Sequence, residues 1–187
     1  MKLFLNICLI TALLLLASCE NLPKEAQTVN RYFDVDSLIL AAIENTLQIK
    51  DSLQINKTVE IDGEKEQKTL YLDQQGLNNE MILFRSLDIN NPASAFAYKS
   101  EEKDGQLIYL LKDNEKQTGI IRLSVTKKAN GHIVEGLFNE NNQIYYTSRQ
   151  LKLEVENGTI QSFEMTGKQK MVFKDTINYS MKGIITN

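Results

Sequence analysis

Between residues 35 and 53 the apolar side chains recur three or four positions apart: Val35, Leu38, Ile39, Ala42, Ile43, Leu47 and then Ile49. That spacing gathers them on one stripe of an α-helix. Asp34 stands where an N-cap is wanted, and Asp36 and Ser37 give the first turn negative and hydrogen-bonding character. The period then shortens. In NKTVEIDGEKEQKTLYLD, Val59 and Ile61 alternate with polar neighbours. Asp62-Gly63 supplies a tight turn, and Leu70 and Leu72 return on the far side, which predicts a hairpin. Leu77, Met81, Phe84 and Leu87 restore helical spacing over 77 to 88, and Asn90, Asn91 and Pro92 end it.

From about residue 94 onward the alternation is that of strands. Seven stretches, from AFAYKSEE to KQKMVFKDTINYSMKGII, are separated by turn chemistry at Asp104-Gly105, Asp113-Asn114, Asn130-Gly131, Asn139 to Asn142, Asn157-Gly158 and Gly167. The clearest is RQLKLEVENGTIQSFEM. Leu151, Leu153 and Val155 point one way, Lys152, Glu154 and Glu156 the other, and Asn-Gly fits a type I′ hairpin. Met171, Phe173, Ile177, Tyr179 and Met181 share one parity near the C-terminus. The expected fold is α+β: an antiparallel meander of about six to eight strands, its apolar face covered by one or both N-terminal helices. The alternation suits a curved open sheet wet on one side, and equally a sheet curled toward a barrel.

Ahead of this domain lies a different pattern. Met1-Lys2 opens the chain and LFLNICLITALLLLA follows, with only Asn6 and Thr11 as polar interruptions. The run is shorter than the ~20 apolar residues a membrane-spanning helix requires, and it suits the apolar region of a secretory signal peptide. It ends at Leu16-Ala17-Ser18-Cys19. Those four residues resemble the lipobox of bacterial lipoproteins. The resemblance implies that residues 1–18 are a signal peptide, that cleavage falls before Cys19, and that Cys19 carries a diacylglyceryl thioether and an acylated amine. Two or more acyl chains give a stable membrane attachment where one gives a marginal one. CENLPKEAQTVN, over 19 to 30, is polar and without period, and reads as a tether to one domain over 31–187.

Composition removes several chemistries. The 187-residue chain has a formal net charge of −3, and Lys2 leaves with the signal peptide. Mild acidity gives no electrostatic footprint for nucleic acid, which would need a clustered basic face. Of two cysteines, Cys8 lies in the discarded run and Cys19 is spent on lipid, so no thiol remains for a disulfide or for a Cys/His zinc site. A Ser-His-Asp arrangement would have to use His132, the single histidine, which follows a turn signal and is expected at an exposed hairpin end. No G-x-S-x-G, P-loop or G-x-G-x-x-G motif occurs. Carboxylate-only catalysis, as in glycosidases, leaves no local signature.

Other conspicuous groups read as structure. KSEEKDG, from Lys99 to Gly105, is a solvated turn without the calcium-loop spacing. Asp34 and Asp36 suit a helix start, since neighbours two apart on a helix do not face each other. Tyr145 and Tyr146 point to opposite faces of a strand, so only one can line a given surface. Asn56, Asn157 and Asn178 begin glycosylation triplets that a bacterial lipoprotein has no reason to use. No catalytic, cofactor or metal residue is nominated, and Cys19 is the one chemical site.

With the lipobox, the tether, the helix and a meander ending YSMKGII, the stretch DINNPA at Asp88 to Ala93 resembles small uncharacterised lipoproteins of Bacteroidota. That resemblance implies an envelope address and no particular activity. Glu20 stands where an inner-membrane retention signal in enteric bacteria has Asp, which favours the outer membrane. The absence of an acidic cluster directly after Cys19 favours the periplasmic side over the cell surface. The expected role is a non-enzymatic, membrane-anchored binding or assembly subunit with an envelope protein as partner. The alternative is a carrier of lipid or another apolar ligand.

Overall fold

A computed structural model describes residues 31–49, 53–113 and 115–186. Residues 1–30, where the sequence leads one to expect a signal peptide, the acylated Cys19 and a tether, lie outside the described residues. Helix α1 spans Val35–Ile49, followed by a hairpin of β1 (Leu53–Ile61) and β2 (Glu64–Leu72), then α2 (Gln74–Arg85) and a short 3₁₀ turn at Pro92–Ser94. The meander follows as β3 (Tyr98–Lys103), β4 (Gln106–Leu111), β5 (Gly119–Lys128), β6 (Gly131–Asn141), β7 (Tyr145–Glu156), β8 (Thr159–Met171) and β9 (Thr176–Thr186). All nine strands form one antiparallel sheet in the order β2-β1-β9-β8-β7-β6-β5-β4-β3. There is one strand more than the upper end of the expected range, and the sheet is not closed into a barrel, since β2 and β3 are its two edges.

The edges explain why it stays open. β2 carries Glu64, Lys65, Glu66, Gln67 and Lys68, and β3 carries Lys99, Glu101, Glu102 and Lys103, almost all exposed. Charged edge strands resist pairing with each other or with another chain.

Both helices lie on one face. Val35, Ile39, Ala42 and Ile43 of α1 and Leu77, Met81 and Phe84 of α2 join a single core with Leu53, Ile55, Leu123, Val134, Leu151, Leu153, Val155 and Phe163 of the sheet. The alternation read in β7 is the alternation of burial, with Leu151, Leu153 and Val155 buried. The rings of Phe84 and Phe163 meet edge to face at 5.8 Å. Two glycines in mid-strand make room for large neighbours. A Cβ at Gly183 would stand 2.2 Å from the Phe163 ring, and one at Gly136 would stand 2.2 Å from Leu87.

Polar contacts join the helices to each other and to the sheet. Lys57 Nζ on β1 donates to both carboxylate oxygens of Glu80 on α2, at 2.7 and 2.8 Å. Arg85 at the end of α2 pairs with Asp36 in the first turn of α1. Near the register shift between β7 and β8, the Ile160 N–H donates to the hydroxyl of Thr46 on α1 at 3.0 Å. A bulge disturbs the ladder and needs such an outside partner.

Three boundaries differ from the sequence reading. α1 ends at Ile49 rather than 53, because Leu53 opens β1 and is buried against the core. α2 begins at Gln74 rather than 77 and ends at Arg85 rather than 88. Asp73 caps it, its carboxylate accepting the Gly76 N–H at 2.8 Å. Gly167 is not a turn. β8 runs through it to Met171, and the glycine is required because a Cβ there would stand 2.6 Å from the ring of Tyr179 on β9.

Candidate functional site

The helices cover only part of the face they occupy. Cross-strand register defines one continuous row, Glu66–Val59–Met181–Met165–Leu151–Gly136–Leu123–Tyr109–Ser100, from edge to edge. Leu151, Leu123 and Tyr109 in this row are buried, whereas Val59, Met181 and Met165 are only half-buried. The next row away from the helices runs Ile61–Tyr179–Gly167–Arg149–Phe138. An apolar strip on β1, β9, β8 and β6 therefore continues past the core without a lid among the described residues.

Arg149 is the charged member of this strip. Its guanidinium carbon lies 4.6 Å from the centre of the Phe138 ring, an arrangement that attracts a cation to the aromatic face. Its Nε is buried and without a hydrogen-bond partner among the described residues, and it takes part in no ion pair there. Beside the strip, Lys57, Val59, Glu66, Lys68 and Leu70 line a shallow depression of about 230 Å³. On the opposite face, Arg122, Ser124, Glu135, Gly136, Leu137 and Gln150 line a second one of about 170 Å³. Among the described residues no three His, Cys, Asp or Glu side chains are grouped to hold a metal ion.

Asp34 caps α1, its carboxylate accepting the Ser37 N–H and hydroxyl at 2.8 Å each. Asp36 pairs with Arg85, so the two acids do not converge. His132 is half-buried rather than exposed, its ring 5.5 Å from that of Phe33. Burial, and then the positive charge of Lys127, hold its pKa below the ordinary histidine value. The turn beside it is Ala129-Asn130. Gly131 already pairs within β6, where the Val155 carbonyl would stand 1.9 Å from a Cβ. Tyr145 and Tyr146 have different partners, the Tyr145 hydroxyl donating to Glu140 while the Tyr146 ring centre lies 5.9 Å from Lys168 Nζ, but both border one open groove at the hairpin tips. Lys99 to Lys103 form the exposed edge strand β3, and Asp104-Gly105 is its turn. Arg149 carried no sequence signal, because a lone arginine in an alternating strand looks like any outward charge.

DINNPA turns out to be a joint. The Asn90 side chain accepts the Tyr32 N–H at 2.9 Å and donates to the Tyr32 and Phe33 carbonyls and to Asp88. Ile89 is buried, and Asn91 caps the 3₁₀ turn through the Ser94 N–H. The Tyr32 ring meets Tyr98 and Tyr109 edge to face at 5.7 and 5.3 Å. Asp88 is half-buried, and desolvation outweighs its hydrogen bonds from Asn90 and Val35, raising its pKa above the carboxylate norm. A raised folded-state pKa means the fold binds that proton more tightly than the unfolded chain does. The stability it confers is complete below about pH 4 and is lost as pH rises through the folded value. Asp88→Asn is therefore expected to raise the urea midpoint at pH 7 relative to the parent. The gain should disappear below about pH 4, as paired denaturation curves would register.

No family model matches the chain, and neither a curated protein nor a solved structure shows significant similarity to it.

Proposed function

We propose that the chain is a non-enzymatic, lipid-anchored binding or assembly subunit of the bacterial cell envelope. Acylated Cys19 holds it at the outer membrane facing the periplasm, and it grips an envelope protein with the uncovered half of its helix-bearing face. The observation that carries the gripping role is the half-buried strip of Val59, Met165, Met181, Tyr179 and Phe138 beyond the helices. Apolar surface continuous with a core but left without cover favours a partner of matching shape. The address rests on the lipobox residues Leu16 to Cys19.

A second reading is favoured by Arg149. A guanidinium whose Nε has no hydrogen-bond partner among the described residues, beside an apolar strip, suits the anionic head of an amphiphile whose chain lies along Met165 and Met181, which is the carrier alternative.

One experiment separates these roles in cells. A photoreactive side chain is placed at Met165, at Met181, or at Leu110 on the reverse face as control. A crosslink from 165 and 181 to one envelope protein supports the first reading, and a crosslink to lipid alone supports the second. Labelling no stronger than at 110 refutes both. Cys19→Ala, expected to leave the membrane fraction, is run in parallel to separate anchoring from gripping.

A further inference from the structure

Three exposed apolar side chains meet at one place, the paired tips of the β6–β7 and β8–β9 hairpins, and one of them, Phe173, is the most exposed large apolar side chain among the described residues. Ile144 in the first tip is 64% exposed, and Val172 and Phe173 in the second are 49% and 103% exposed. The Val172 N–H donates to the Ile144 carbonyl at 2.9 Å, so the two tips form one unit. Between them Ile144, Tyr145, Tyr146, Lys170, Met171 and Val172 line an open groove of about 200 Å³.

The second tip is costly to build. Its turn is closed by the Lys174 N–H donating to the Met171 carbonyl at 3.2 Å, and Phe173 within it has φ +63°. That is a position where turns want Gly or Asn, and a bulky residue there is strained. Yet the ring touches no core. Neither backbone conformation nor internal packing gives the fold a reason for phenylalanine.

Charge narrows the occupant. The segment KQKMVFK brackets Met171-Val172-Phe173 with Lys168, Lys170 and Lys174, inside a chain of net charge −3. None of the three is in an ion pair among the described residues. The acids nearby are Asp175, next in the chain, and Glu140, which accepts the Tyr145 hydroxyl. A second copy docking tip to tip would set lysine against lysine. A bilayer interface meets every term. Its acyl region accepts the bare ring and the two aliphatic side chains, and its phosphates accept ammonium groups held at headgroup level on apolar stems.

We propose that the paired tips are a membrane-contact element, inserting Phe173, Val172 and Ile144 into a leaflet that contains anionic lipid. This surface is distinct from the strip beside the helices and from acylation at Cys19, and it orients the domain against the membrane.

The chain has no tryptophan, so Phe173→Trp in the full-length protein reports from one place. It is added to phosphatidylcholine vesicles with and without phosphatidylglycerol, some brominated on their acyl chains. Blue-shifted emission and bromine quenching in the anionic vesicles are expected. Lys170→Gln and Lys174→Gln should each lower the ratio of inserted to free tip about fivefold. Tyr71→Trp on edge strand β2 should stay unquenched. A solvent-like, unquenched indole at position 173 overturns the proposal, as does equal quenching of an indole at position 71. A shift seen with native membranes and never with pure lipid also overturns it and assigns the tips to a protein partner.

Discussion

Phe163→Ala is expected to destabilise the fold by about 3–5 kcal/mol, the usual cost of removing a fully buried aromatic side chain. Phe163 is completely buried, lies edge to face with Phe84, and covers the bare backbone of Gly183. Its loss therefore opens a cavity between α2 and the central strands. Domains of this size have only about 5–15 kcal/mol of stability in total, so the variant stands near the edge of folding. Urea denaturation should show a midpoint lower by about 2 M with an unchanged slope. Gly183→Ala alone should also destabilise, by about 1–3 kcal/mol, since its Cβ overlaps the ring. In the Phe163→Ala background the same methyl enters the vacated space. The double variant should thus be more stable than the sum of the singles predicts, and strict additivity would mean the ring does not lie over Gly183.

Asn90→Ala carries the next largest effect, about 2–3 kcal/mol. One amide serves four groups, and its removal leaves the Tyr32 N–H and two partly buried carbonyls without partners. Orphaning such groups costs about 1–3 kcal/mol apiece before relaxation and water reduce it. The loss should be local as well as global. Hydrogen exchange at the Tyr32 and Phe33 amides should speed up more than in β7, because those residues are held to the fold by Asn90 and by the Tyr109 hydroxyl. Asn90→Asp keeps the acceptor, loses the donors and sets a second carboxylate beside Asp88 and the two carbonyls, so at pH 7 it should destabilise at least as much as alanine. Exchange that accelerates equally everywhere would contradict the role of Asn90 as a joint.

The elements that sequence made legible are those whose signals are local. Asn157-Gly158 adopts the positive φ angles of 51° and 75° that a type I′ turn requires, and the strands either side alternate as their burial does. Asp34 caps α1 for reasons visible within four residues. Features that depend on distant partners are not legible locally. Gly167 looks like a turn until Tyr179 is seen against it, and Arg85 looks like a surface charge until Asp36 arrives from another helix. The open sheet was the harder case. Alternation is the same in a sheet and a barrel, and only strand order places the charged β2 and β3 at opposite edges. The uncovered strip was illegible for a related reason. Met165 and Met181 share parity with buried neighbours, and what distinguishes them is where two helices stop.

The placement of β9 has a consequence for how the chain reaches its native state. β1 and β2 come early in the sequence, yet they join the meander only through β9, between β1 and β8. The contact from the Asn178 N–H to the Asp62 carboxylate spans 116 residues. During synthesis the first hairpin waits without its neighbour β9 until nearly the whole domain has emerged. Such non-local closure slows folding and lengthens the time in which apolar strands are open to wrong partners. The charges along β2 then protect twice: at the finished edge, and on the nascent hairpin before its neighbour exists.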